Sequence, residues 1–338
     1  MPGRRHRPCL FAAICLAVAV AGCGGNGLNA PHPATGAGFA SNPLEHRVEL
    51  SIEDGQLAGA AAAPEVRTWI DQAAQAIDAY YGQFPVAHAR LLVERVDGTG
   101  VRWARTFAHA GAFIRVGVGE QTTATDFASD WILTHEFVHL ALPELADEHD
   151  WLQEGAATYV EPVARAQAGQ LSPEQMWAEF ALGMPRGLPA EDDRGLDFTR
   201  TWARTYWGGA LFCLVADVKI RSRTGNRVGL QQALRAILAG GGTLEHRWSI
   251  REALKTGDRA TGVDVLTQMY EEWRAAPVPV DLPGLWRELG VEQHGRRATL
   301  RDDAPLAEIR RAITARVAAA PLEAARSPDR VTEAKRAE

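Results

Sequence analysis

The sequence predicts an α+β fold, a small mixed β-sheet followed by a mainly helical lobe, and three observations carry that expectation. The first third alternates polar and apolar residues or gathers them in short β-branched runs, as strands do. Beyond Thr122 the apolar residues recur at three- and four-residue spacing, the period of helices packed on a core. With 338 residues, 46% hydrophobic and 23% charged, the chain has ordinary globular composition and enough length for one large domain or two modest ones.

The order of elements follows from local signals. His46 to Ile52 alternates as a strand. Pro64 to Phe84 reads as a helix, with Val66, Trp69, Ile70, Ala73, Ala74 and Ile77 on one face and Pro64 near its start. Leu91 to Val96 and Ala112 to Val118 read as strands, the second marked by Phe113, Ile114, Val116 and Val118. Helices are predicted over Ser129 to Leu142, Leu152 to Ala168, Thr201 to Arg223 and Leu230 to Ala239, broken by Gly225-Asn226 and Gly240-Gly241-Gly242. Past Pro277 the chain is proline-rich, then helical, and charged from about Ser327.

The N-terminus has another character. Arg4, Arg5 and Arg7 precede an apolar run from Cys9 to Ala21, the layout of a secretory signal and shorter than the roughly 20 residues of a membrane span. Val20-Ala21-Gly22-Cys23 resembles the bacterial lipobox, which implies cleavage before Cys23 and a lipid anchor on it; an ordinary cleaved signal or a single N-terminal membrane helix are the alternatives. Gly24 to Pro43 lacks large apolar residues and reads as a tether. The predicted organisation is a signal over 1–22, a tether over 23–43, a mixed α/β part over 44–122, a helical part over 123–276 and a C-terminal extension over 277–338. The protein is thus expected in the cell envelope, facing the periplasm, with the lipid bilayer as one partner. Of four cysteines only Cys213 lies outside the N-terminal segment, in the apolar run Ala210 to Val215, and it reads as a buried inert thiol. A net charge of -6 gives no polycationic surface for phosphates, so nucleic acid is not an expected partner.

Chemistry concentrates at His135-Glu136-Phe137-Val138-His139, an H-E-x-x-H pattern inside an apolar helical stretch. A spacing of four residues puts both imidazoles on one helix face, able to share a cation, and Glu136 one residue further round is placed to reach a water. Zinc lowers the pKa of a bound water from about 15.7 to about 7, and a carboxylate can then take its proton. The flanks would bury this segment, where unpartnered His and Glu are costly. A solvated face bearing two histidines is the plainer alternative.

A third ligand must lie downstream. Leu142 and Leu145 stand where a metzincin needs Gly and His, which excludes that class. Of the polar residues that follow, Glu154 stands out because it opens the next predicted helix among small residues that permit close packing. His149, on a loop, remains an alternative ligand, as does a purely helix-stabilising role for Glu154.

At this point His135 to Leu140, followed by Trp151-Leu152-Gln153-Glu154-Gly155 with Ala157 and Tyr159, resembles the gluzincin aminopeptidases, whose pattern continues W-x-x-E-G-x-A-x-Y. Thr205-Tyr206-Trp207-Gly208-Gly209-Ala210-Leu211 is similar to the Y-x-K-G-A-L block of the glycyl aminopeptidase family, with Gly208 where that family carries lysine. The resemblance covers roughly Ala112 to Leu238. It implies a zincin-like core, zinc (Zn2+) on His135, His139 and Glu154, Glu136 as general base, Tyr206 as donor to the developing oxyanion, and a peptide or protein substrate. The family's amine-binding glutamate is not recognisable; Phe113 to Val118 is the expected substrate-side strand, with Glu120 just beyond it. Glu161, seven residues after Glu154, is expected on the same helix face, as an orienting partner for a ligand histidine or as a solvated carboxylate. Two other functions fit the sequence: a zinc hydrolase of non-peptide amides or esters, and a non-catalytic envelope lipoprotein that keeps the scaffold.

Overall fold

In a computed structural model of the chain, residues 48–51, 64–108 and 111–316 are described. The signal, the lipobox cysteine and the tether lie outside them, as do Cys9 and Cys15.

The strand with the longest apolar run is the one most enclosed. Strand β1 (Val48–Ser51) leads through helix α1 (Pro64–Tyr81) to β2 (Ala89–Val96), β3 (Val101–Phe107) and β4 (Ala112–Gly119). The sheet order is β1-β2-β4-β3, with β1 and β4 parallel to β2 and β3 antiparallel to β4. Ile114 and Val116 are fully buried at the centre of β4. This corrects the expectation for Phe113 to Val118: β4 is paired on both sides and has no free edge for a substrate. The edge on the far side of β4 belongs to β3, a strand for which the sequence carries no clear signal.

The helical lobe begins with α2 (Ala124–Ala128) and α3 (Ile132–His139). Thr123 caps α2 with a reciprocal capping box to Asp126. Asp130 starts α3: its carboxylate accepts from the Ile132 and Leu133 amides and from the Trp69 indole of α1, so the metal-motif helix is tied to the core at its first turn. Helix α3 is shorter than the predicted Ser129 to Leu142, because the chain turns at Leu140 towards the loop that Glu144 pins to His246 and Trp248.

Helix α4 (Asp150–Gln167) packs beside α3, and α5 (Pro173–Gly183) follows with a Ser172 capping box. The predicted Thr201 to Arg223 helix is interrupted: Arg204 to Gly208 form a π-helical turn that runs into α6 (Gly209–Arg223). A Cβ on Gly209 would lie 1.9 Å from the Trp151 carbonyl oxygen and 2.7 Å from Gly155 Cα. Two glycines therefore let α4 and α6 touch backbone to backbone.

Helices α7 (Leu230–Ala239), α8 (Ile250–Thr261) and α9 (Val265–Trp273) complete the lobe. The C-terminal extension holds α10 (Leu282–Leu289), a hairpin of β5 (Val291–His294) and β6 (Arg297–Leu300), and α11 (Ala307–Ile313). The hairpin is an addition to the helical expectation, turned at Gly295 with φ of +62°. One continuous apolar core joins α1, the sheet, the helical lobe and this extension. Among the described residues no helix is long and apolar enough to cross a membrane.

Candidate metal centre

Helical spacing puts His135 and His139 one turn apart on α3, and the glycine contact between α4 and α6 holds α4 where its second turn faces them. Glu154 Oε2 lies 3.2 Å from His135 Nε2 and 3.5 Å from His139 Nε2. The potential ligand atoms of these three residues all fall within 4.8 Å of one another. Bonds of about 2.0–2.1 Å from a tetrahedral zinc to N and O donors imply ligand separations of about 3.4 Å, so these donors fit such an ion in chemistry and in spacing.

Electrostatics ties the three together. Burial pushes the Glu154 carboxyl up, but the His139 charge and hydrogen bonds from both imidazoles outweigh it and hold the carboxyl well below its usual range. Burial pulls the His139 imidazole down, and the Glu154 carboxylate, aided by Glu136, reverses this and holds it up at about 9. Without a metal, a proton held between His139 and Glu154 satisfies this cluster.

Glu136 is buried, and its carboxylate accepts a 2.6 Å hydrogen bond from Thr106 Oγ1, which also reaches the Glu136 carbonyl oxygen at 3.1 Å. Thr106 belongs to the edge strand β3, so the sheet sets the orientation of this carboxylate. No sequence signal identifies Thr106, because the contact spans 30 residues.

The π-helical turn carries Tyr206 to the same place. Its ring stacks on His135, with centroids 6.2 Å apart, and on Trp202, at 5.6 Å. Burial first, then the charges of Glu154 and Glu136, push the phenol up, so it stays protonated and able to donate. Extra backbone in a helix at a functional position is a recurrent use of the π-turn.

The remaining sequence candidates lie elsewhere. His149 Nδ1 is 3.1 Å from Asp197, which also accepts from the Trp151 indole and the Tyr270 hydroxyl; the ring is held there and not among the three clustered groups. Glu161 is neither solvated nor beside a histidine: it is buried and accepts a 2.7 Å hydrogen bond from Arg165 on its own helix. Glu120 is displaced along the sheet. Thr106 pairs with Ile114, six residues before Glu120, which is about 20 Å at the rise of a β-strand. Cys213 is buried and free, and burial pushes its thiol up, as expected of an inert thiol.

No protein-family model matches the chain, and no curated protein matches it either. Among solved structures it is similar to an aminopeptidase N family protein from Idiomarina loihiensis, with a TM-score of 0.51 at 12% identity over 68% of this chain and 45% of that one. It also matches an M1 zinc metallopeptidase from Deinococcus radiodurans, with a TM-score of 0.42 at 20% identity over 65% of this chain and 46% of that one. A mutant of a Deinococcus radiodurans M1 zinc metallopeptidase, bound to a Tyr-Ser-Ala substrate, matches with a TM-score of 0.43 at 19% identity over 65% and 46%. The chain spans about half the length of these structures. The fold is the expected α+β, zincin-like one, a small mixed sheet followed by a mainly helical lobe.

Proposed function

We propose that this protein is a zinc-dependent peptidase, exported and held at a membrane by lipid on Cys23. The observation that carries the reading is the convergence of His135, His139 and Glu154, with Glu136 one position round the same helix and oriented by Thr106. A site built only for structure has no use for the additional oriented carboxylate. Likeness in fold to an aminopeptidase N family protein supports the same reading. The export and anchor rest on the arginine-led apolar segment and Cys23.

His135, His139 and Glu154 would hold the zinc ion, which when bound supplies a Lewis acid for the carbonyl and an acidified water. Glu136 takes the proton from the attacking water as the C–O bond forms, and delivers it to the amine as the C–N bond breaks. Tyr206 donates a hydrogen bond to the oxygen of the tetrahedral intermediate, where charge develops. Strand β3 pairs on one side only, and its Thr106 side chain reaches α3, so an extended peptide can add to its unpaired edge.

A panel of blocked and unblocked peptides, with matching esters, tests this. Peptide cleavage is expected, with Glu136→Gln lowering kcat/KM by about three orders of magnitude at unchanged zinc content. Cleavage of esters but no peptide would move the function to the non-peptide hydrolases. Zinc binding with no turnover of any substrate would leave a scaffold protein.

A further inference from the structure

A cavity of about 930 Å³ opens just ahead of α4, lined by none of His135, Glu136, His139, Glu154 and Tyr206. Its walls come from the loop before α4, the segment from Arg194 to Arg200, the start of α8 and the end of α9. Four arginines line it: Arg194, Arg200, Arg251 and Arg274. Of the two carboxylates on the wall, Asp197 is already taken by His149, Trp151 and Tyr270.

The arginines are held with donors to spare. Arg251 and Arg274 lie against the Tyr270 ring, at 5.6 and 5.8 Å from its centroid, and both grip Glu271. Arg274 meets Glu271 through Nε, which leaves both terminal nitrogens of its fork unused among the described residues. Arg194 is steadied by a bond from Nη2 to the Phe198 carbonyl oxygen. Arg200 donates no hydrogen bond among the described residues, and its charge is felt at Asp150 in the first turn of α4. Pre-positioned guanidinium forks match the planar, bidentate geometry of carboxylates.

The cavity wall reaches His149, the residue that precedes α4, and the metal cluster takes its acid from the second turn of α4. His149 lines the cavity and Glu154 faces the histidines, five residues on, or about 7.5 Å along a helix. That is the span of two to three residues of extended peptide. Two exposed aromatics lie four residues apart here, Phe198 on the cavity wall and Trp202 stacked on Tyr206.

We infer that this arginine cavity binds carboxylates of an acidic peptide, two to three residues from the bond to be cut. Its role as a substrate subsite rests on the peptidase reading; its affinity for carboxylates does not. The experiment is therefore a binding measurement on the whole protein, both zinc-loaded and stripped of metal. Fluorescein-labelled peptides blocked at both ends, one rich in Glu and its Gln counterpart, are titrated by anisotropy at low and high salt.

The Glu peptide is expected to bind about tenfold more tightly than the Gln peptide, with the difference shrinking as salt rises. Arg194→Gln combined with Arg274→Gln, both at accessible positions, is expected to reduce the preference to about twofold or less. A Gln peptide with a free C-terminal carboxylate that binds as well as the Glu peptide would assign the same site to chain ends. Equal affinity for Glu and Gln peptides, or a preference that survives the arginine substitutions, overturns the inference. Charge-selective binding in a protein that takes up no zinc would retain the cavity and remove the peptidase reading.

Discussion

The two halves of helix α4 each carry an inward-facing acid, Glu161 buried and Glu154 part-buried, and the contrast between them separates a structural acid from a functional one. In the C-terminal half, Glu161 accepts a hydrogen bond from Arg165 one turn later on the same helix, within its own chain segment. In the N-terminal half, Glu154 is answered by two imidazoles from another helix, groups that are neutral near pH 7 unless a neighbour charges them. One acid meets a single cation on its own helix. The other meets two imidazoles that can share a metal ion with it.

Substitutions on each side sharpen this contrast. At the Glu154 end, Tyr206→Phe keeps the ring stacked on His135 and removes the donor, so kcat is expected to fall by about a hundredfold or more with zinc content unchanged. Steady-state kinetics with parallel metal analysis measures it, and an unchanged kcat would remove Tyr206 from the chemistry. Thr106→Val breaks the bond that orients Glu136 and should lower kcat about tenfold with little change in KM, while Thr106→Ser restores the rate. A Ser variant as slow as the Val variant would show that Thr106 acts through packing alone.

At the Glu161 end the effect is on stability. Burial pushes this carboxyl from an ordinary 4.5 up to about 8, with Glu179 and Asp130 adding and Arg165 opposing. A carboxyl whose folded pKa exceeds its unfolded value keeps its proton better when folded. Its contribution favours folding fully below about 4.5 and is lost as pH rises through about 8. Denaturant melts from pH 6 to pH 9 are expected to show Glu161→Gln flattening the decline by on the order of 1 kcal/mol, without effect on zinc binding. A variant that loses zinc would place Glu161 in the functional half after all.

What the sequence makes legible divides along the same line. The clustered positions of His135, His139 and Glu154 follow from local facts: a four-residue spacing on an apolar helix, then an acid at the start of the next helix among residues small enough for close packing. Contacts between distant segments leave no such trace. Thr106 lies on a strand whose residues are only partly buried, so the period-two signal is faint, and its partner is 30 residues away. The destination of His149 depends on Asp197, 48 residues downstream. The π-turn at Tyr206 has no spacing signature, since it inserts backbone into a helix whose apolar pattern continues on both sides. Asp130 was open to reading as a helix start, being an acid just ahead of an apolar run.

The most direct test is the zinc content of the purified protein by elemental mass spectrometry, on wild type, Glu154→Ala and His149→Ala side by side. About one zinc per chain in wild type, lost with Glu154→Ala and kept with His149→Ala, is the expected result. Zinc retained without Glu154, or no tightly bound metal in the wild type after reconstitution, would contradict the account.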